Sequence, residues 1–274
     1  MKSKSLLHHK SYYIVYALLT SILFLNSCNP PKPSDEPFKA TPYTLKIPKY
    51  FPTILNIPDD NPMTVEGVKL GRYLFYDGRL RGYNGDNPDS LMSCATCHIQ
   101  AHGFECGLNH PKFINGKTHG INGKPTPHSM MPLCNLVFNS NGYFWNGMIY
   151  TKNSNPERRN IENIVSMGIT VEHEMNSSIE RAVTTIKNIS IYPPMFKAAF
   201  GTEEVTIERI EKAIAQFIRT LISGNSKFDR YIRGIEDLSS DELAGFVLFT
   251  TEEGADCFHC HGSDGNLLMT TNQF

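Results

Sequence analysis

The apolar positions of this chain recur at helical spacing, and no long alternating apolar/polar runs stand out. Thr64 to Phe75 reads as one helix, with Val65, Val68, Leu70 and Leu74 turned inward. Ile207, Ile210, Ile214, Phe217, Ile218 and Leu221 form a continuous stripe behind Thr206, a good N-cap, and Gly224 follows as the predicted stop. Ser239-Ser240-Asp241-Glu242 has the Ser-x-x-Glu spacing of a capping box and opens a third helix through Phe249. Such stripes are core before they are anything else, and the fold class they predict is mainly α.

The N-terminus has a different pattern. Lys2, Lys4 and Lys10 flank an apolar run of 14 residues, Tyr12 to Leu25. That length suits the core of a signal peptide and is short for a membrane span. The run ends in Leu25-Asn26-Ser27-Cys28, which resembles a bacterial lipoprotein cleavage box. Residues 1–28 are therefore expected to be a signal peptide with Cys28 as the lipidated mature N-terminus. An ordinary signal peptide or an uncleaved anchor is the alternative, and export follows in each case. The expected location is the periplasm of a Gram-negative bacterium, with a lipid anchor in the membrane. Residues 29–45 read as a Pro-rich tether, with Pro30, Pro31, Pro33 and Pro37 keeping the chain extended and solvated.

A length of 274 residues allows one large domain or two small ones, and 40% hydrophobic residues suffice for a real core. The net charge of −1 supplies no global field to recruit nucleic acid, so no nucleic-acid partner is expected. Docking to a charged redox partner would need a local patch.

The chemistry lies in a repeated pentapeptide, Cys94-Ala95-Thr96-Cys97-His98 and Cys257-Phe258-His259-Cys260-His261. Paired thiols at this spacing add across the two vinyl groups of one porphyrin, and the adjoining imidazole reaches the iron. Zinc half-sites and redox dithiols also use Cys-x-x-Cys. Zinc ribbons space their pairs roughly 15–20 residues apart, whereas 163 positions separate Cys94 from Cys257. A redox dithiol has no need of the histidine that both motifs carry. Two covalently bound c-type haems are the expectation. Cys106 and Cys134 are left as either a disulfide or small core residues.

Leu70-Gly71-Arg72-Tyr73-Leu74-Phe75 before the first motif is echoed by Ala244-Gly245-Phe246-Val247-Leu248-Phe249 before the second. An apolar helix covering a porphyrin face, with a glycine for close approach, accounts for the echo. It predicts two cytochrome-c-like haem domains, residues 46–200 and 201–274, with the boundary near Pro193 to Thr206. Only 13 residues follow His261, and Met269 is too near to return over the far face of a haem. The second domain is thus expected to be truncated and the chain a fragment.

With these motifs in hand, the chain resembles the bacterial di-haem cytochrome c peroxidases from about Thr64 onward. The resemblance is carried in order by Leu70 to Leu80, Ser93 to His98, Asn135-Leu136-Val137-Phe138-Asn139 and Phe144-Trp145-Asn146-Gly147. Glu174-Met175, Ala213 to Leu221, Asn225 to Tyr231 and the second haem motif follow. It implies peroxide reduction at the haem on His98 and electron entry at the haem on His261, from a small c-type cytochrome or a similar donor. It puts Trp145 between the haems and makes Glu174 the distal acid, although Glu172 and His173 are close neighbours. It also implies a loop histidine that caps the peroxidatic iron in the oxidised state. His119, on a Gly-rich loop, is the candidate, and His110 and His128 compete with it. A homodimer is a further implication. The methionine ligand of the second haem is placed beyond residue 274.

The chain departs from the family at several places. Ile164 stands where the family usually has a glutamine, and Asn146 and Met148 alter the tryptophan motif. His128-Ser129 replaces an Arg-Asn pair near a calcium site, which counts against calcium here. Two further readings stay open. One is a MauG-like di-haem oxidase acting on a protein partner. The other is a di-haem electron carrier without catalysis, which Glu174 argues against.

Overall fold

Thr64 starts the first helix because its hydroxyl accepts a hydrogen bond from the Gly67 N–H at 3.1 Å. The computed structural model describes residues 38–83, 88–139, 143–144 and 161–261. The chain divides into residues 1–38 and 39–274, and every described helix and strand belongs to the second unit.

The inward face of α1 (Val65–Tyr76) is Gly67, Leu70, Gly71, Leu74 and Phe75. Val65, expected inward, is 45% exposed. The buried stripe is displaced because the two glycines belong to it. α5 (Ile207–Arg219) lies so close that a Cβ on Gly71 would sit 1.8 Å from the Ala213 carbonyl oxygen. One on Gly67 would sit 2.2 Å from Gln216 Oε1. The glycine of the sequence echo therefore admits a neighbouring helix backbone, where the approach of a cofactor was expected.

Around the α1–α5 pair pack α2 (Glu162–Thr170), α3 (Ile179–Asn188) and α4 (Tyr192–Phe200). Leu70, Phe75, Ile186, Tyr192, Phe196 and Ile214 are buried within one continuous apolar cluster. α5, which follows the predicted boundary at residue 200, shares this core with α1.

Polar groups lock its far end. The fully buried Arg219 guanidinium donates to both carboxylate oxygens of Glu162, at 2.7 and 2.9 Å, and to the Asn56 carbonyl at 2.7 Å. Asn61 donates to the same carboxylate at 2.6 Å and accepts from Gln216 at 2.8 Å. A buried charge pair persists when its remaining hydrogen-bonding capacity is met in this way.

α5 ends at Arg219, five positions before the predicted stop at Gly224. The chain leaves the helix to pair with another segment. Asn135 N–H donates to the Leu221 carbonyl at 2.8 Å, and Ser223 N–H donates to Asn135 Oδ1 at 2.8 Å. Gly224 instead faces Pro48, whose Cγ would be 2.3 Å from a Cβ there.

Among the described residues the strands are β1 (Phe113–Ile114) and β2 (Lys117–Thr118), an antiparallel hairpin turned by Asn115 and Gly116, both at positive φ. α6 (Lys227–Ile232) and α7 (Ser240–Thr250) each start with a capping box, Ser226 with Asp229 and Ser239 with Glu242. α8 (Phe258–His261) carries the second haem motif. No helix among the described residues is long and apolar enough to cross a membrane.

Candidate haem sites

The first motif forms a tight 3₁₀ turn, Cys94–Thr96, in which Ser93 N–H donates to Thr96 Oγ1 at 3.0 Å. His98 N–H then donates to the Cys94 carbonyl at 2.9 Å, which sets the imidazole beside the paired thiols. His98 Nδ1 lies 2.6 Å from the Phe104 carbonyl oxygen. A carbonyl only accepts, so Nδ1 carries the proton and Nε2 keeps its lone pair. Burial holds the His98 pKa down to about 4, against the opposing pull of the Phe104 and Met131 backbone hydrogen bonds. A neutral, oriented imidazole with a free Nε2 is what an iron ligand must be.

Cys94, Cys97 and His98 open into one cavity. Phe75, Leu133, Ile164, Val165, Ile214 and Ile218 contribute apolar walls from α1, α2, α5 and the 130s loop. Burial pushes both thiols up to about 12, and the Glu174 carboxylate adds to the push on each. Reactive or metal-binding thiolates need the opposite shift. The donor set and the apolar walls fit a covalently held porphyrin.

Glu174 lines the same cavity. It ends the turn that follows α2, where its N–H donates to the Val171 carbonyl at 3.1 Å. Its own carbonyl accepts from Ile121 N–H at 2.9 Å, and a Cβ on Gly120 would meet the His173 and Glu174 backbone at 2.4–2.7 Å. The 119–126 loop is thus stacked on the turn. From the other side the buried Arg81 donates through Nε to the Met175 carbonyl at 2.5 Å. Burial raises the Glu174 pKa, partly offset by His173. Gly168 leaves room for the carboxyl, since a Cβ there would be 3.2 Å from Oε2.

The neighbouring candidates separate cleanly. Glu172 is exposed and paired with Lys124 at 2.5 Å, whereas His173 lines the cavity. His119 is half-buried outside the cavity lining, with Nδ1 3.1 Å from the Lys117 carbonyl and 3.3 Å from that of Lys112. His110 Nδ1 sits 3.5 Å from Cys106 Sγ, and His128 is exposed. Cys106 and Cys134 are both free thiols: Cys106 is buried, and Cys134 donates to the Gly103 carbonyl at 3.4 Å. They are core-packing residues, not a disulfide. Trp145, Cys28 and Met269 lie outside the described residues.

His261 lines an open groove walled by Phe228, Phe246, Phe249 and Gly245, and Cys257 and Cys260 lie just before it in the chain, outside the groove's lining. The His261 ring lies 6.3 Å from that of Phe249. The attachment residues and an aromatic wall suit a second haem.

Sequence reasoning missed His173, Thr118, Thr126 and Gly168 as lining residues, and Arg81 as the support of the Glu174 turn. The Asn115-Gly116 hairpin signal was available. The loop's stacking on the turn is tertiary and leaves no local pattern.

Residues 65–237 match the model of the di-haem cytochrome c peroxidase family. The chain is 34% identical over 208 residues to the methylamine utilization protein MauG of Methylorubrum extorquens, covering 75% of this chain and 52% of that protein. It is 30% identical to the cytochrome c551 peroxidase of Nitrosomonas europaea, covering 73% and 52%. A crystal structure of a MauG-like protein associated with microbial copper homeostasis superimposes with a TM-score of 0.67 at 28% identity. That match covers 85% of this chain and 62% of the other. The chain spans about half the length of the curated relatives it matches.

Proposed function

Because the chain belongs to the di-haem cytochrome c peroxidase family, we propose that it reduces hydrogen peroxide to water at the haem held by Cys94, Cys97 and His98. The observation that carries the reading is the convergence of Glu174 and the His98 imidazole on one cavity. When bound, the haem supplies the electrons that break the O–O bond. Two electrons and two protons convert one peroxide to two waters.

The protein's own groups handle the protons. The Glu174 carboxylate takes the proton that peroxide loses on binding and returns it to the departing oxygen. A raised pKa brings its acid and base forms closer in energy near neutral pH, which suits both steps. Apolar walls from Phe75, Val165 and Ile214 exclude bulk water. Arg81 and Gly120 hold the turn that aims the carboxylate. His98 is oriented by the Phe104 carbonyl, which also raises its basicity as a ligand.

Electrons would enter from a reduced cytochrome c or similar small protein at the haem on His261 and pass by Trp145. His119 remains the proposed gate, reaching the iron by movement of its loop. Export with a lipid on Cys28, the two-domain division and a homodimer belong to the same proposal.

A second reading is favoured by the similarity to MauG: oxidation of a protein partner through the same two haems. Peroxide-dependent oxidation of reduced cytochrome c by the haem-loaded protein separates the two. Sustained turnover supports the peroxidase. Consumption of peroxide without cytochrome c oxidation supports the oxidase.

A further inference from the structure

Most polar side chains that line the first cavity already have work. Ser93 Oγ lies 3.4 Å from Thr96 Oγ1, and Thr126 Oγ1 donates to the Thr118 and His128 carbonyls at 3.0 and 2.6 Å. His98 is held by Phe104. Thr118 is the exception. The residue lines the cavity and is 0% exposed, and among the described residues its hydroxyl has no hydrogen-bond partner. Native proteins rarely bury a hydroxyl in that condition unless something else completes it.

The local backbone says which side of the cavity Thr118 serves. Successive side chains of an extended strand point to opposite faces. Thr118 and Gly120 are buried, and His119 between them turns away from the cavity to the Lys112 and Lys117 carbonyls. Gly120 packs directly on the His173–Glu174 backbone. Thr118 therefore shares its face with the contact that supports the distal turn. Ile164 and Val165 on the adjoining wall offer no hydrogen bond.

We infer that Thr118 is a binding residue of the peroxide site, its hydroxyl donating to a small oxygen anion seated on the Glu174 side of the cavity. Once Glu174 has taken the proton it has a single O–H, which it keeps for the departing oxygen, so it cannot also hold the anion left beside it. A hydroxyl in a low-dielectric wall can, and it donates without itself ionising. Glu174 moves the proton, and Thr118 binds the oxygen from which it has gone. This assignment rests on the peroxidase reading and gives the same site its anion-binding group.

Fluoride is the probe, because it takes the open position of a ferric haem and its affinity reports hydrogen-bond donors nearby. Titrating the haem-loaded protein by absorbance, after one-electron reduction has released the proposed His119 gate and left the His98 haem ferric, gives the dissociation constant. Thr118→Val keeps the shape and removes the donor; Thr118→Ser keeps the donor. Fluoride affinity should fall about tenfold or more in Thr118→Val, as loss of a hydrogen bond to an anion requires. It should stay within about threefold of the parent in Thr118→Ser, given equal haem content. Unchanged affinity in Thr118→Val would place the hydroxyl against another acceptor, such as a porphyrin carboxylate, and overturn the inference. Equal losses in both variants would overturn it too, since packing alone would explain them. Should Thr118→Val fail to bind haem, Thr118→Ala is read by the same criteria. Peroxide turnover by the parent protein judges the underlying reading separately.

Discussion

Gly71→Ala sets two effects against each other, and the structure decides between them. In an exposed helix interior, alanine in place of glycine is stabilising by roughly 0.5–1 kcal/mol. At Gly71 the added Cβ would stand 1.8 Å from the Ala213 carbonyl oxygen, where ordinary contact begins near 3.4 Å. The obstacle is backbone in the middle of α5, so no side-chain rotation relieves it. The helices must separate by about 1.5 Å, which loosens Leu70, Leu74 and Phe75 against Ile210 and Ile214. Overpacking that shifts backbone costs about 1–3 kcal/mol, and a clash this close with backbone belongs at the upper end. The net expectation is a loss of roughly 2–3 kcal/mol, or a melting temperature lower by about 5–10 °C for a domain of this size. Phe75, Ile214 and Ile218 also wall the haem cavity, so the absorption of the His98 haem should change in the folded variant. Thermal denaturation of the haem-loaded protein measures the first effect and its visible spectrum the second. A variant as stable as the parent, or more so, would show that the α1–α5 contact is not the tight backbone approach described.

Three other outcomes follow from the same geometry. Glu162→Ala leaves the fully buried Arg219 cation without its bidentate partner and should cost about 3–5 kcal/mol in urea unfolding; under 1 kcal/mol would contradict a buried, complete network. Peroxide turnover should decline as pH falls through the raised pKa of Glu174, because protonation removes the base, so the acid limb lies above the ordinary glutamate value of about 4.3. A limb at or below that value would remove Glu174 as its source. Gly120→Ala pushes the loop off the His173–Glu174 backbone and should lower peroxide turnover at unchanged haem content, which a pyridine haemochrome assay checks; full activity would show that the stacking does not position Glu174.

The parts of the fold written in local chemistry were legible in the sequence. Thr206 and Ser239 cap helices where expected, and the Ile210–Ile214–Phe217 stripe is buried. Each of these signals sits within a few residues of its effect. The end of α5 was misplaced because Asn135, 86 residues upstream of Leu221, draws the chain out of the helix. Val65 was misassigned because glycines were not counted as part of a buried face, although Gly67 and Gly71 are its closest-packed members. Motif residues marked the haem cavity, since Cys-x-x-Cys-His states its own ligation. Thr118 and Arg81 were not legible, because each reaches the cavity or the Glu174 turn through a long-range contact. Glu172 and Glu174 look alike in sequence, and only the turn after α2 makes one exposed and the other a cavity wall.

The central claim is that the cavity shared by His98 and Glu174 reduces peroxide. Its most direct test is steady-state, peroxide-dependent oxidation of reduced cytochrome c by the haem-loaded protein and by Glu174→Gln, both shown to carry two haems. The account predicts sustained turnover in the parent and a loss of about 10²–10⁴-fold in the variant, the span typical of a positioned acid–base group. Equal turnover in the two proteins, or none in the parent, would contradict it.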